Sequence, residues 1–312
     1  MKLLITGGTG FVGSHLAREA VAAGAEVVLF DRYPSPARIG DIADRVTVVE
    51  GDVLEPQELL ATMSRHEIDH VAHLGFIPGP ALPEKFVPYL RVQCMGTANV
   101  FEAARIHGVK RVANASSVAV FGHGSILSRP VTEDDPTHPD DLYGTCKVWG
   151  EFVADYYNRE HGMEILSLRI TASFGFGRVN RASLASGVMG VRTNFLAAPE
   201  LLSLGRPVTM PPDEQLFDLL YAADTGLAFW LALSRPRPPH SVFNLRGEPC
   251  RVGDLTALLR GAFPDGEITV SDSPPEMLQL MDNTRLVEEL GFEVRFGLEA
   301  ALDDYLRRIG GG

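Results

Sequence analysis

Tyr143 and Lys147 stand four residues apart at the start of a stretch with helical periodicity, so both side chains leave one face of a helix a single turn apart. A phenol ordinarily titrates near pH 10, and a nearby ammonium together with a bound cationic cofactor is expected to lower that value by about three. Tyr143 would then act as a general acid/base near neutral pH. Ser117 precedes Tyr143 by 26 residues and closes an apolar run over 111–115, where a hydroxyl can stabilise a developing oxyanion.

A second constellation lies at the start of the chain. The apolar run 2–6 breaks into Gly7, Gly8, Gly10 and Gly13, and Phe11 and Val12 open a helical pattern over 11–23. Strand, glycine turn and helix in this order make an anion site without basic side chains, because unpaired N–H groups at the helix start point at a pyrophosphate. Both 7-10-13 and 8-10-13 satisfy the spacing of such a turn. The next apolar run ends in Asp31, 18 residues beyond Gly13, near where an acid is expected to hold a ribose.

The elements that must position these groups alternate along the chain. Strand patterns at 2–6, 26–31, 45–50, 70–74, 111–115 and 164–169 are separated by helical patterns at 55–64, 86–107 and 142–161, with Gly108 and Gly162 at cap positions. Such alternation implies an α/β protein, a Rossmann-type doubly wound parallel sheet. After Arg169 a Gly/Ser/Arg-rich segment leaves that pattern, and a helix near 224–234 and a strand near 241–245 return to it. The expected division is a dinucleotide-binding domain over 1–170 and 217–246, with a smaller C-terminal α/β substrate lobe over 171–216 and 247–312.

Composition narrows the partners. The 312 residues carry a formal net charge of −12, which disfavours nucleic acids and anionic membranes. Apolar runs are too short to cross a bilayer, and Cys94, Cys146 and Cys250 have neither metal-ligand spacing nor the even number of a disulfide framework. The expectation is a cytoplasmic protein without a metal, its cysteines serving as packing residues.

Several segments together resemble the extended short-chain dehydrogenases/reductases, the family that includes NAD-dependent nucleotide-sugar epimerases and dehydratases. They are Thr6-Gly7-Gly8-Thr9-Gly10-Phe11-Val12-Gly13, Asp31, Gly51-Asp52-Val53, His73-Leu74-Gly75, Gly96-Thr97-Ala98-Asn99-Val100, Ala115-Ser116-Ser117, Tyr143-Gly144-Thr145-Cys146-Lys147 and Phe243-Asn244. The resemblance implies NAD as cofactor, Asp31 on the adenosine ribose, Asp52 and Val53 beside the adenine, Leu74 and Gly75 along the cofactor, Lys147 on the nicotinamide ribose and Ser117 on the substrate oxygen. It also implies a homodimer joined through the helices 86–107 and 142–161. Arg32 and Arg38 follow the ribose acid, and either would admit a 2′-phosphate if it folded over the ribose.

Departures from the family pattern narrow the chemistry. Val118 and Ala119 follow Ser117 where dehydratases carry Asp-Glu. Ala172 and Phe217 occupy places where family members use Asn and Arg to hold a nucleotide diphosphate, and Gln93 replaces a frequent Asn. The reading is an NAD-dependent oxidoreductase acting on the secondary alcohol or ketone of a small substrate, sugar-like or a hydroxy acid. A nucleotide-sugar 4-epimerase with tightly bound NAD and a non-catalytic dinucleotide sensor are the alternatives. Phe76, Ile77, Ala172, Phe174, Phe176, Met189 and Arg178 flank the expected substrate space, with Arg181, Arg192, His123 and His138 as further polar neighbours. His73 is expected to be a packed strand residue.

Overall fold

The computed structural model describes residues 1–77, 85–122, 129–179, 195–273 and 280–310. Its strands, in chain order, are β1 (Lys2–Thr6), β2 (Glu26–Asp31), β3 (Thr47–Glu50), β4 (His70–His73), β5 (Arg111–Ser117), β6 (Ile165–Ile170), β7 (Ala172–Phe174), β8 (Val208–Met210), β9 (Leu216–Tyr221), β10 (Val242–Leu245), β11 (Glu248–Arg251) and β12 (Ile268–Val270). Seven form one parallel sheet in the order β10-β6-β5-β4-β1-β2-β3. The order reverses between β1 and β4, so their carboxyl ends open the crevice where ligands bind in such sheets.

Helices α1 (Phe11–Ala22), α2 (Pro56–Arg65), α3 (Phe86–Leu90), α4 (Thr97–His107) and α5 (Leu142–His161) cover the sheet. Gly108 and Gly162 close α4 and α5 in the left-handed conformation. The continuous helix expected over 86–107 is interrupted by a π-helical turn, Arg91–Gly96. There the Thr97 hydroxyl donates to the Gln93 carbonyl at 2.7 Å, a local bond that competes with regular helical pairing.

The lobe holds β7, β9 and β11 in one small sheet and β8 with β12 in another. Its core gathers Phe174, Phe195, Phe217, Tyr221, Leu255 and Tyr305. This placement corrects the expected boundary at 217, because β9 pairs with β7 and β11 rather than with the central sheet. The chain rejoins the large unit with the helix Ala222–Ser234, whose Gly226 lies against the His15 backbone of α1. A second correction concerns the helix Thr284–Leu290, which sends Leu286 and Leu290 into the large unit's core and not into the lobe. Among the described residues no helix is long and apolar enough to cross a membrane.

Candidate active site

The glycine turn joins β1 to α1 directly beneath the end of β4. Gly7 has φ +65, and a Cβ there would stand 2.6 Å from the Leu74 carbonyl oxygen. Gly13 is equally constrained, since a Cβ would meet the Gly7 carbonyl at 2.3 Å, so α1 packs on the turn backbone to backbone. No side chain caps the start of α1, which leaves its first N–H groups, from Phe11 onward, for an anion.

Asp31 ends β2 beside this turn. Its Oδ2 accepts from the Thr9 backbone N–H at 3.1 Å and the Thr9 hydroxyl at 2.7 Å, and its Oδ1 accepts from the Tyr33 N–H at 3.2 Å. A carboxylate offers about four acceptor positions, so one remains for a ribose hydroxyl. Arg32 pairs with Asp52 at 3.0 Å, and Asp52 also receives the Leu54 N–H. Arg38 points elsewhere, donating through Nε to the Gly177 carbonyl at 2.6 Å. Val53 is buried, its carbonyl held by the Asn99 amide at 3.0 Å. The Thr6 hydroxyl receives the N–H groups of Leu74 and Gly75 and contacts His73 Nδ1 at 2.7 Å. His73 is therefore a fully buried strut, and burial lowers its pKa to about 3. The glycine cradle, the open helix start and the spare Asp31 acceptor fit a dinucleotide with an unmodified adenosine ribose.

Ser117, Tyr143 and Lys147 converge at the carboxyl edge of β5. The β5 strand carries Ser117 at its end, and Asp141 caps α5 by accepting the Gly144 N–H at 2.6 Å, which fixes the turn holding Tyr143. Behind them Glu151 accepts a bidentate pair from Arg169 at 2.9 and 2.8 Å and a bond from the Ser116 hydroxyl, tying α5 to β5 and β6. The Ser117 hydroxyl accepts the Ala119 N–H at 3.2 Å and acts to lower the Tyr143 pKa, and Lys147 donates to the Ala115 carbonyl at 2.9 Å.

Burial dominates the electrostatics of both groups. It raises the Tyr143 phenol above its ordinary value, opposed by the Ser117 hydroxyl and the Arg178 charge. Burial likewise pushes the Lys147 ammonium well below its ordinary range. Lys147 Nζ lies 2.9 Å from the Phe76 ring centroid and 5.4 Å from that of Tyr143, so its nearest aromatic neighbour is Phe76. Among the protein's own groups, desolvation is the largest influence on the phenol.

On the lobe side, Arg178 donates to the Ser173 carbonyl at 2.8 Å and stands 5.5 Å from the Phe11 ring centroid. Its neighbours are clamped from both sides. Glu200 accepts the N–H groups of Gly177 and Val179 at 3.0 and 2.9 Å and the Tyr305 hydroxyl at 3.0 Å, while Arg38 holds the carbonyls of the same two residues. No Arg178 salt bridge is found among the described residues.

The other expected substrate contacts divide. Phe174 has no exposure and packs against Tyr305 and Tyr221. It faces a lobe cavity of about 350 Å³ that contains none of Ser117, Tyr143 and Lys147, so it is a lobe residue and not a wall of this site. Ala172 pairs with Leu219, and Phe217 stacks on Phe195 at 4.6 Å inside the lobe core, so neither offers a polar donor to a diphosphate. His138 is exposed, and Ile77 is partly open beside Phe76. His123, Arg181, Met189 and Arg192 lie outside the described residues. Tyr89, bonded to Gln93 at 2.9 Å, was not anticipated; its hydroxyl feels the charges of Tyr143 and Cys146. Glu200 and Tyr305 were also missed, since only the folded chain brings them to Arg178.

A sequence profile of the NAD dependent epimerase/dehydratase family matches residues 3–245. The UDP-glucose 4-epimerase of Corynebacterium glutamicum is 29% identical over 253 residues, 78% of this chain and 75% of that protein. A uronate dehydrogenase of Pseudomonas syringae pv. tomato is 34% identical over 179 residues, 55% of this chain and 60% of that protein. The crystal structure of the Thermotoga maritima UDP-glucose 4-epimerase with UDP-glucose superposes with a TM-score of 0.84 at 24% identity, covering 100% of this chain and 99% of that one.

Proposed function

The chain belongs to the NAD dependent epimerase/dehydratase family, and from that premise we propose that it oxidises or reduces the secondary alcohol or ketone of a small anionic substrate, a sugar acid or hydroxy acid. The observation that carries this reading is Arg178, a buried guanidinium on a clamped loop whose charge acts on Tyr143 and Glu200 and which has no salt bridge among the described residues. A substrate carboxylate is the natural partner of a guanidinium in that position. The uronate dehydrogenase among the relatives acts, by its name, on a substrate of this class.

NAD, when bound, supplies the hydride acceptor or donor. Gly7, Gly10, Gly13 and the first N–H groups of α1 hold its phosphates, Asp31 its adenosine ribose, and Lys147 the ribose near the reacting ring. Tyr143 takes the proton from the substrate hydroxyl, or returns it to a ketone oxygen. Ser117, at the end of β5, holds that oxygen and stabilises its developing charge. Asp31 favours NAD over NADP, because Arg32 is paired to Asp52 and Arg38 is spent on the lobe loop.

A second reading has support of its own, since the epimerase relative covers more of the chain than the dehydrogenase. A UDP-sugar 4-epimerase would use the same Ser117, Tyr143 and Lys147. Phe217 and Ala172 argue against it, for a buried diphosphate needs charged donors and the loss of one partner costs about 3 to 5 kcal/mol. Calorimetric titration of the NAD-loaded protein with UDP and UDP-glucose separates the two. No binding at submillimolar ligand supports the small-acid reading; micromolar affinity replaces it with the epimerase. The protein is also read as a homodimer, because Met95, Ile106, Phe152 and Tyr156 leave large apolar surface exposed on the two long helical segments. Light scattering is expected to give twice the chain mass.

A further inference from the structure

Two of the three cysteines meet at the base of the catalytic helix. Cys146 is the residue immediately before Lys147 in α5, and Cys94 lies in the π-helical turn Arg91–Gly96 that faces it. Their Sγ atoms are 3.8 Å apart, Cys146 buried and Cys94 partly exposed. Cys250 sits apart from them in β11, opposite Phe217 in the lobe. We propose that Cys94 and Cys146 form a reversible disulfide when the protein meets a hydroperoxide, latching α5 to the π-helical turn beside Lys147.

The geometry divides the roles. Cys94 is the accessible sulfur, and its contact with the Cys146 thiol lowers its pKa below the ordinary thiol value, which favours Cys94 as the attacking thiolate. The same contact and burial raise the Cys146 thiol, which stays protonated until its partner is attacked. The Cys94 thiolate attacks the terminal oxygen of the hydroperoxide; the S–O bond forms, the O–O bond breaks and an alcohol leaves after taking a proton. Cys146 then attacks the Cys94 sulfur, its proton passing to the departing hydroxide. The S–S bond forms, the S–O bond breaks and water leaves. Two thiols are oxidised by two electrons and the hydroperoxide is reduced to alcohol and water.

Closing the bond requires the sulfurs to approach to about 2.05 Å. Movement at Cys146 is passed directly to Lys147, whose ammonium is confined between the Ala115 carbonyl and the Phe76 ring. The disulfide form is therefore expected to bind NAD roughly tenfold more weakly, because the lysine assigned to the cofactor ribose is displaced.

The experiment treats the full-length protein with a small excess of tert-butyl hydroperoxide, then blocks free thiols with iodoacetamide after unfolding. The expected results are loss of two hydrogens from the intact mass, one alkylated cysteine (Cys250), a linked peptide pair containing Cys94 and Cys146, and recovery of NAD affinity with dithiothreitol. Cys250→Ser retains the link, and Cys94→Ser loses it together with the peroxide effect on NAD binding. Three alkylated cysteines, a sulfinic acid at Cys94 without a link, or a link through Cys250 each overturn the proposal. An intact Cys94–Cys146 link with unchanged NAD affinity overturns the latch. NAD binding that is weak before oxidation counts instead against the cofactor assignment.

Discussion

The two sides of the cleft are built from different materials. On the sheet side, the groups assigned to the cofactor's phosphates and adenosine ribose are backbone amides of one turn and a carboxylate, within the first 31 residues and fixed by the ends of β1 and β2. On the lobe side, Arg178 owes its position to Glu200, Arg38 and Tyr305, which come from three separate regions of the chain. A backbone cradle is written in residue spacing, because glycine is required wherever main chains touch. A side-chain cradle draws on contacts 21 to 141 residues apart and leaves no local pattern.

The largest expected effect falls where the sides meet. Tyr143→Phe keeps the ring and removes the proton-transfer group, so turnover is expected to fall by about 10² to 10⁴-fold with NAD affinity nearly unchanged, read by steady-state kinetics and NAD titration. Near-normal turnover would remove Tyr143 from the chemistry.

Acid is expected to attack both sides through buried histidines. His15 Nε2 donates to the Phe176 carbonyl across to the lobe at 3.0 Å, and burial lowers its pKa to about 4; that of His73 falls to about 3. Because both folded values lie below the unfolded value near 6.5, the neutral form supports the fold fully above that pH. Stability is then lost as pH falls from about 6.5 toward 4, by about 3 kcal/mol per histidine. Urea unfolding at several pH values, repeated on His73→Gln, checks the slope; an unchanged slope in the variant would assign the loss elsewhere.

Gly13→Val tests the backbone cradle by placing a side chain against the Gly7 carbonyl. A stability loss of about 3 kcal/mol and abolished NAD binding are expected in thermal and ligand titrations. The matching lobe variant, Arg178→Met, is expected to leave NAD binding intact and raise KM about 10 to 100-fold. It should also shift the alkaline limb of the rate profile to higher pH, since removing a cation near the Tyr143 phenol disfavours the phenolate. Equal loss of NAD affinity in both variants would erase the distinction between the two sides.

The smallest effect on stability has the opposite sign. Lys147→Met relieves a buried ammonium and is expected to raise the unfolding midpoint by about 1 to 3 °C while turnover disappears. A lowered midpoint would mean that the bond to the Ala115 carbonyl outweighs the desolvation.

The same contrast explains what was legible. The bounds of β1, β2 and α5 coincide with their sequence patterns because each is a regular apolar period closed by a glycine turn, an acid or a capping pair. Ser117, Tyr143 and Lys147 were found together because a strand end and a helix start fix them locally. The π-helical turn at Arg91–Gly96 escaped because residues on either side keep good helical periodicity. Phe174 was misplaced because an aromatic beside a glycine-rich loop reads alike whether it lines a site or fills a core. Arg38 was weighed as a phosphate ligand, yet its partners at Gly177 and Val179 lie 139 and 141 residues away.

The most direct test of the proposed reaction is to follow reduced-nicotinamide absorbance when the protein is given NAD and a panel of hexuronic and hydroxy acids. The account predicts steady formation of reduced nicotinamide with at least one such acid, lost in Tyr143→Phe and weakened through KM in Arg178→Met. Silence with every acid, together with interconversion of UDP-glucose and UDP-galactose by the same sample, would contradict it.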